Sequence, residues 1–302
     1  MNERHRRELA AIAGPDIRFD RPLRLYTTFR VGGNAAAFFR ARRLEDLGRV
    51  LSYAASESLP VLVVGKGSNM IVADRGFDGL VLRLLGDLAR VEVRTEADRL
   101  EAGGGATIRR MMDACIRHGM RGLEFLAGIP GTAGGAVAMN AGAHGRMTGE
   151  AVESVRWMTR RGDSEECPAQ KLTFGYRECR LPEGVVVTGV RFRVYGENPD
   201  AVSRRVDEHL AMRRQALPRE ALSAGSVFRN PEGDSAGRLL ESAGLKGKRI
   251  GGAMISPVHA NVIVNTGGAT AKDILSLMRT AREEVLRKTG IQLEPEVRII
   301  GC

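Results

Sequence analysis

Lysine is nearly missing from this chain: only 6 of its 46 basic residues are lysine, and the other 40 are arginine. Aromatic residues make up 5%, too few for the interleaved cationic and stacking side chains of a nucleic-acid surface. The arginines fall in scattered pairs rather than a tract. The formal net charge of +10 therefore points to a small anionic ligand or a solvated basic surface. No apolar run reaches the roughly 18 residues of a membrane span. The opening, MNERHRRELA, is charged where a signal peptide needs an apolar centre, so a cytoplasmic protein is expected. Cysteine is sparse as well. Cys115, Cys167, Cys179 and Cys302 form no CxxC pair, and the five histidines form no HExxH group. Neither a metal site nor a disulfide framework is expected.

What is plentiful is glycine, 37 residues gathered into a few loops. Between them the pattern is mixed α and β. Leu44, Leu47, Val50, Leu51 and Ala54 recur at helical spacing, and Thr107–His118 reads as a helix with Thr107 as N-cap. Strand-like runs appear at Val61–Val64, Leu80–Leu84, Val91–Val93, Val155–Met158, Val185–Val190 and Arg191–Tyr195. The stretch Gly122–Gly145 shows little periodicity. A turn at Gly196-Glu-Asn-Pro-Asp200 marks a boundary. Past it lie helical patterns at Ala201–Gln215, Ala236–Ser242 and Thr270–Thr289, with strands near Ala260–Val264 and Val297–Ile300. The expected division is 1–197 and 198–302.

Two glycine loops carry the first chemical signal. Gly65-Lys66-Gly67-Ser68-Asn69 follows a buried strand, where backbone N–H groups can face an anion; an ordinary strand-to-strand turn is the alternative. It is neither a GxGxxG fingerprint nor a Walker A loop, because the chain continues into apolar Met70-Ile71-Val72. The second segment, Gly122–Gly145, holds seven glycines in 24 residues. A stretch so poor in large side chains passes close to a flat ligand or to another backbone.

With Thr27-Thr28-Phe29-Arg30-Val31-Gly32-Gly33 added, these loops resemble the FAD-binding half of the UDP-N-acetylenolpyruvoylglucosamine reductases. The resemblance implies an α+β, vanillyl-alcohol-oxidase/PCMH-type flavin fold of two subdomains, roughly 1–75 and 76–197, followed by a C-terminal α+β substrate domain. It implies non-covalent FAD, with Gly65, Lys66, Gly67, Ser68 and Asn69 at the diphosphate. Gly128, Ile129, Pro130, Gly131, Thr132, Gly135, Asn140 and Gly142 would line the rest, with Arg30 nearby. Lys66 stands where the family usually has a small residue, and Thr27 where it usually has Asn. The alternative on the same fold is an FAD-dependent oxidase or dehydrogenase of hydroxy acids.

Three more segments match the family in order. Phe174-Gly-Tyr-Arg177 resembles its arginine motif, Ser223-Ala-Gly-Ser226-Val-Phe-Arg-Asn230-Pro231 its serine motif, and Leu293-Glu-Pro-Glu296-Val-Arg298 its carboxylate motif. The resemblance spans residues 25–301 and implies hydride addition to an enolpyruvyl group, with NADPH as reductant. Arg177 would face the resulting enolate, Ser226 would donate the proton, and Glu296 would polarise the enolate. Asn230, Arg213, Arg214 and Arg298 are candidate substrate contacts, although Gln215-Ala-Leu-Pro218 interrupts the family's Gln-Pro pair. The region Val194–Pro199 is too short for the family's extra tyrosine loop, so the shorter type, acting as a monomer on a small molecule, is expected.

Overall fold

The computed structural model describes residues 1–216 and 222–301; Pro218 and Cys302 lie outside them. The chain forms two compact units, each assembled from several stretches. Residues 1–19, 36–66 and 79–211 make the first, and 20–35, 67–78 and 212–302 the second. Composition suggested a division near 197, and the family resemblance a further one near 75. The chain also changes unit after Phe19, Ala35, Lys66 and Asp78, where composition gives no signal.

In the first unit α1 (Glu3–Ala13) and α2 (Leu44–Ser56) share a core with Phe39, Leu80 and Leu82. Leu47, Val50, Leu51 and Ala54 of α2 are all buried at their three- and four-residue spacing. Each buried leucine contributes about 1.5–3 kcal/mol. Strands Ile17–Pro22, Asn34–Ala41, Phe77–Leu84 and Val61–Val63 follow in that sheet order, the last two running parallel. α3 (Ile108–Arg117) starts where Thr107 Oγ1 accepts from the Arg110 N–H at 3.3 Å.

The buried side chains of α3 enter the core of a five-stranded antiparallel sheet. Its order is Ser164–Pro168, Val152–Met158, Val186–Arg193, Arg99–Gly103, Val91–Arg94. Residues 186–193 form one strand where the sequence suggested a break at Arg191. Arg191 sits in it opposite Glu101 of the adjacent strand, its guanidinium meeting that carboxylate at 3.5 Å and reaching Glu166, two strands away, at 2.9 Å. Cys115 and Cys179 pack against this core, and burial pushes their thiols up to about 12 and about 11 respectively. Two further helices complete the unit. α4 (Ala133–Ala138) lies inside the glycine-rich stretch. α5 (Pro199–Ala216) docks through Arg205 Nε, which donates to the buried Glu124 carboxylate at 3.0 Å, and through His209, whose ring stacks on His144 at 4.2 Å.

The second unit holds α6 (Ala236–Ser242) and α7 (Ala271–Thr289). Leu239, Leu240, Ile274, Leu277 and Met278 close on Phe29, Ile71 and Phe228. α7 begins with a capping box, in which the Thr270 hydroxyl accepts from the Asp273 N–H and Asp273 reaches back to Thr270 N. It ends at left-handed Gly290. Beside the helices are the strands Arg249–Ile250, Ala253–Ile255 and Ile263–Asn265, and a parallel pair, Met70–Val72 with Arg298–Ile300. Among the described residues no helix is long and apolar enough to cross a membrane.

Candidate functional site

The glycine-rich stretch of the first unit is ordered by its own backbone. Ile108 N donates to Gly131 O at 3.1 Å, Ala133 N to Ala106 O at 2.8 Å and Gly134 N to Gly104 O at 2.9 Å. Thr132 is buried and caps α4 by accepting from the Gly135 N–H at 3.3 Å. A Cβ on Gly65 would lie 2.7 Å from Thr132 Oγ1, so the end of the Val61–Val63 strand must be glycine to meet this turn. From Gly128 to Gly135 the exposed positions are Gly128, Pro130 and Gly135, and Ile129 and Gly131 are half-buried. That strip of small residues, with exposed Lys66 next to Gly65, offers a shallow surface and a cation. A flat cofactor bearing a diphosphate fits it.

Past α4 the chain turns at Asn140, which is 3% exposed and left-handed at φ 38°. The hairpin Gly142–Ala143/Arg146–Met147 follows, its two-residue turn formed by His144 and Gly145, both at positive φ. A second hairpin, Thr173–Gly175/Glu178–Arg180, carries Tyr176 and Arg177 in its turn. Arg177 is half-buried and left-handed at φ 59°, an uncommon backbone for a non-glycine residue. One guanidinium N–H donates to Gly142 O at 3.2 Å. The structure thus brings Arg177 together with Asn140 and Gly142, which the sequence grouped with the cofactor.

In the second unit Ser226 and Glu296 lie on neighbouring backbones. Residues 226–229 run between two segments: Ser226 bridges to Val262 and Phe228 to Pro295. Glu296 N donates to Val227 O at 2.8 Å, and Arg229 N to Glu294 O at 2.9 Å. Gly225, left-handed at φ 71°, turns the chain into this position. Both Ser226 and Glu296 are half-buried. Asn69 joins them: its Nδ2 donates to Glu296 O at 3.2 Å, and its own carbonyl accepts from Arg298 N at 3.1 Å. Gly67, left-handed at φ 61°, lies so close to the Tyr26 carbonyl and Thr27 that any side chain would collide with them. The glycine here serves the backbone approach as well as any ligand.

The remaining sequence candidates are more scattered. Arg30 is exposed at a left-handed turn (φ 59°) held on both sides. Thr27 Oγ1 donates to Val31 O at 2.9 Å, and Asn265 Nδ2 donates to Phe29 O at 2.9 Å. Asn230 is exposed, but its Oδ1 already accepts from Ala236 N at the start of α6, at 3.0 Å. Arg213 is half-buried and Arg214 exposed at the end of α5, and Arg298 is exposed on its strand.

Sequence reasoning missed Asn261 altogether. It is buried, its Nδ2 donating to Phe228 O at 2.8 Å and its Oδ1 accepting from Phe228 N at 3.0 Å, two residues from Ser226. The neighbouring His259 is structural: Nδ1 accepts from Asn261 N at 3.2 Å, and burial lowers its pKa.

Comparison with known proteins gives two family matches. Residues 217–300 match the C-terminal domain of UDP-N-acetylenolpyruvoylglucosamine reductase, and residues 35–168 match an FAD binding domain. Named UDP-N-acetylenolpyruvoylglucosamine reductases are similar over nearly the whole chain. The Symbiobacterium thermophilum protein is 42% identical over 94% of this chain and 92% of its own length. The Geobacter metallireducens protein is 41% identical over 100% and 99%. Among solved structures, the reductase of Thermus caldophilus aligns with TM-score 0.82 at 36% identity, covering 94% of this chain and 98% of that one. Alkyldihydroxyacetonephosphate synthase aligns with TM-score 0.50 at 17% identity over 65% of this chain and 41% of its own, a likeness of fold alone.

Proposed function

The chain belongs to the UDP-N-acetylenolpyruvoylglucosamine reductase family, and on that premise we propose that it reduces the enolpyruvyl group of UDP-N-acetylglucosamine enolpyruvate in peptidoglycan synthesis. The reductant is NADPH, the cofactor FAD, and the setting the cytoplasm, with the enzyme acting as a monomer. The observation that carries the reading is the joining of Ser226 and Glu296 on adjacent backbones, Glu296 N to Val227 O at 2.8 Å. A proton donor and a carboxyl group are thereby held on one rigid platform.

Gly65, Lys66 and the strip from Gly128 to Gly135 would hold FAD, and the family resemblance assigns Arg30, Gly67, Ser68 and Asn69 to the same cofactor. FAD held there would supply the hydride for the enolpyruvyl double bond. Arg177 stabilises the negative charge that develops on the substrate's carboxylate-bearing carbon and its enolate oxygens, since a preorganised guanidinium needs no reorientation during reaction. Ser226 Oγ gives its proton to that carbon. Glu296 shares a proton with the enolate oxygen. Arg213, Arg214, Arg298 and the amide of Asn230 are assigned to the substrate's phosphates and carboxylate.

Purified protein given FAD and NADPH should oxidise NADPH only when the enolpyruvyl substrate is added; oxidation indifferent to that substrate would overturn the reading. Ser226→Ala should leave flavin reduction by NADPH near normal. The same variant should slow flavin reoxidation by substrate about 10²-fold, the loss expected for a positioned acid. Stopped-flow absorbance separates the two, and slow bleaching with normal reoxidation would assign Ser226 a different role.

A further inference from the structure

We propose that Asn140 is a positioning residue that holds the Arg177 turn in place, rather than a contact to the cofactor as its setting in the glycine-rich stretch suggests. The inference rests on the reductase reading for what Arg177 does, and on geometry for how it is held. Asn140 is 3% exposed, and its side-chain amide is committed at both ends. Nδ2 donates to Gly175 O at 2.8 Å and faces Met147 Sδ at 3.5 Å. Oδ1 accepts from Gly149 N at 2.8 Å. An amide nitrogen has two hydrogens, and both are directed into the protein. The orientation is unambiguous, because a flipped amide would set NH2 against the Gly149 N–H and oxygen against the Gly175 carbonyl.

The turn it grips needs an outside support. Thr173–Gly175 and Glu178–Arg180 form a hairpin of three-residue strands, and an isolated two-stranded hairpin is marginal in water. Its turn also carries a non-glycine residue at φ 59°, Arg177, a strained backbone that persists only when its surroundings over-determine it. Asn140 supplies that constraint at Gly175, two residues before Arg177. Gly142, two residues after Asn140, receives the guanidinium itself at 3.2 Å. One short stretch therefore fixes both the backbone and the head of Arg177.

That stretch is itself anchored. Thr148, fully buried, gives both its N–H and its hydroxyl to Ala141 O, at 2.9 and 2.6 Å. Gly149 must be glycine because a Cβ there would lie 2.6 Å from the Phe174 ring. Asn140, Gly149, Phe174, Gly175, Arg177 and Gly142 form a closed circuit. An electrostatic stabiliser loses its advantage when it must reorganise, and the circuit keeps Arg177 from doing so.

Two variants test this. Asn140→Asp keeps size, left-handed tolerance and the acceptor for Gly149, but sets an oxygen against the Gly175 carbonyl. Asn140→Gly keeps the backbone conformation and deletes the clamp. Both should bind FAD within about two-fold of wild type by fluorescence titration and be reduced by NADPH normally. Both should reoxidise with substrate about 10²-fold more slowly, the scale of losing one preorganised donor. Hydrogen exchange should quicken across residues 173–180. In an Arg177→Ala background the same changes should cost no more than about three-fold further, since residues acting as a unit are not additive.

A weakened FAD affinity, equal damage to both half-reactions, additivity with Arg177→Ala, unchanged exchange, or failure of both variants to fold would each overturn the proposal. If wild type shows no substrate-dependent NADPH oxidation, the reductase reading fails on its own. The exchange and FAD measurements then still decide whether Asn140 clamps the turn.

Discussion

Two buried asparagine amides give and receive main-chain hydrogen bonds beside the residues assigned to chemistry: Asn140 near Arg177 and Asn261 near Ser226. An asparagine suits this work because one planar group presents a donor and an acceptor at once. Asn261→Ala would leave both the N–H and the carbonyl of Phe228 unpaired in the core, a loss of about 2–5 kcal/mol. Chemical denaturation should show that loss, with a midpoint shifted far more than for the exposed Asn230→Ala. Neither asparagine announced its role in the sequence. A polar residue inside a glycine-rich or turn-rich stretch reads as loop, and burial of a side-chain amide is a tertiary fact. Arg177, Ser226 and Glu296 were legible only through their motif context, for each would otherwise pass as an ordinary surface or turn residue. Gly65 and Gly67 were legible as a turn but not as close approaches to Thr132 and Tyr26.

At the scale of elements, α5 carries a histidine whose protonation bears on how the helix is held. His209 stacks on His144 and sits near Glu124 and Glu208, with Arg205 and Glu197 on the same docking face. Burial, and next the neighbouring His144, lower the pKa of His209, while Glu124 and Glu208 oppose the shift. The folded state therefore takes up this proton at lower pH than the unfolded chain does. The contribution is present above the ordinary histidine value of about 6.5 and is lost as pH falls below it. Protection of the α5 amides, measured relative to their intrinsic exchange rates, should fall between about pH 7 and 5, and His209→Gln should flatten that dependence; an unchanged slope would place the titration elsewhere. Helices α2, α3 and α7 were readable because apolar spacing, and in α3 and α7 a threonine cap, are local properties. α4 was not, because Ala-Gly-Gly-Ala-Val-Ala offers no contrast between faces.

For the whole molecule, 40 arginines and a net charge of +10 favour anionic ligands generally, so binding of the doubly anionic cofactor should weaken with salt. Neither Gly65–Asn69 nor Gly128–Gly135 holds a histidine or cysteine that could bond to a flavin. Acid precipitation should therefore release all the yellow colour into the supernatant, and flavin left in the pellet would contradict non-covalent binding. Removing FAD should lower the melting temperature, because a ligand at 100 times its Kd adds about 2.7 kcal/mol. The fold class and the order of motifs were legible from the chain. The way segments 20–35 and 67–78 group with 212–302 was not, since pairing such as Met70–Val72 with Arg298–Ile300 leaves no local trace.

That pairing has a consequence during synthesis. Phe29, Val31 and Ile71 belong to a core that also holds Leu239, Leu277 and Leu293, far later in the chain. At about 5–20 residues per second, the ribosome leaves the early segments waiting roughly 10–45 s for their partners. The first unit can collapse as it emerges, whereas Phe29 and Ile71 must stay uncommitted until Leu239, Leu277 and Leu293 have been made. Slowed elongation through residues 212–302 should therefore lengthen the window in which this chain needs a chaperone.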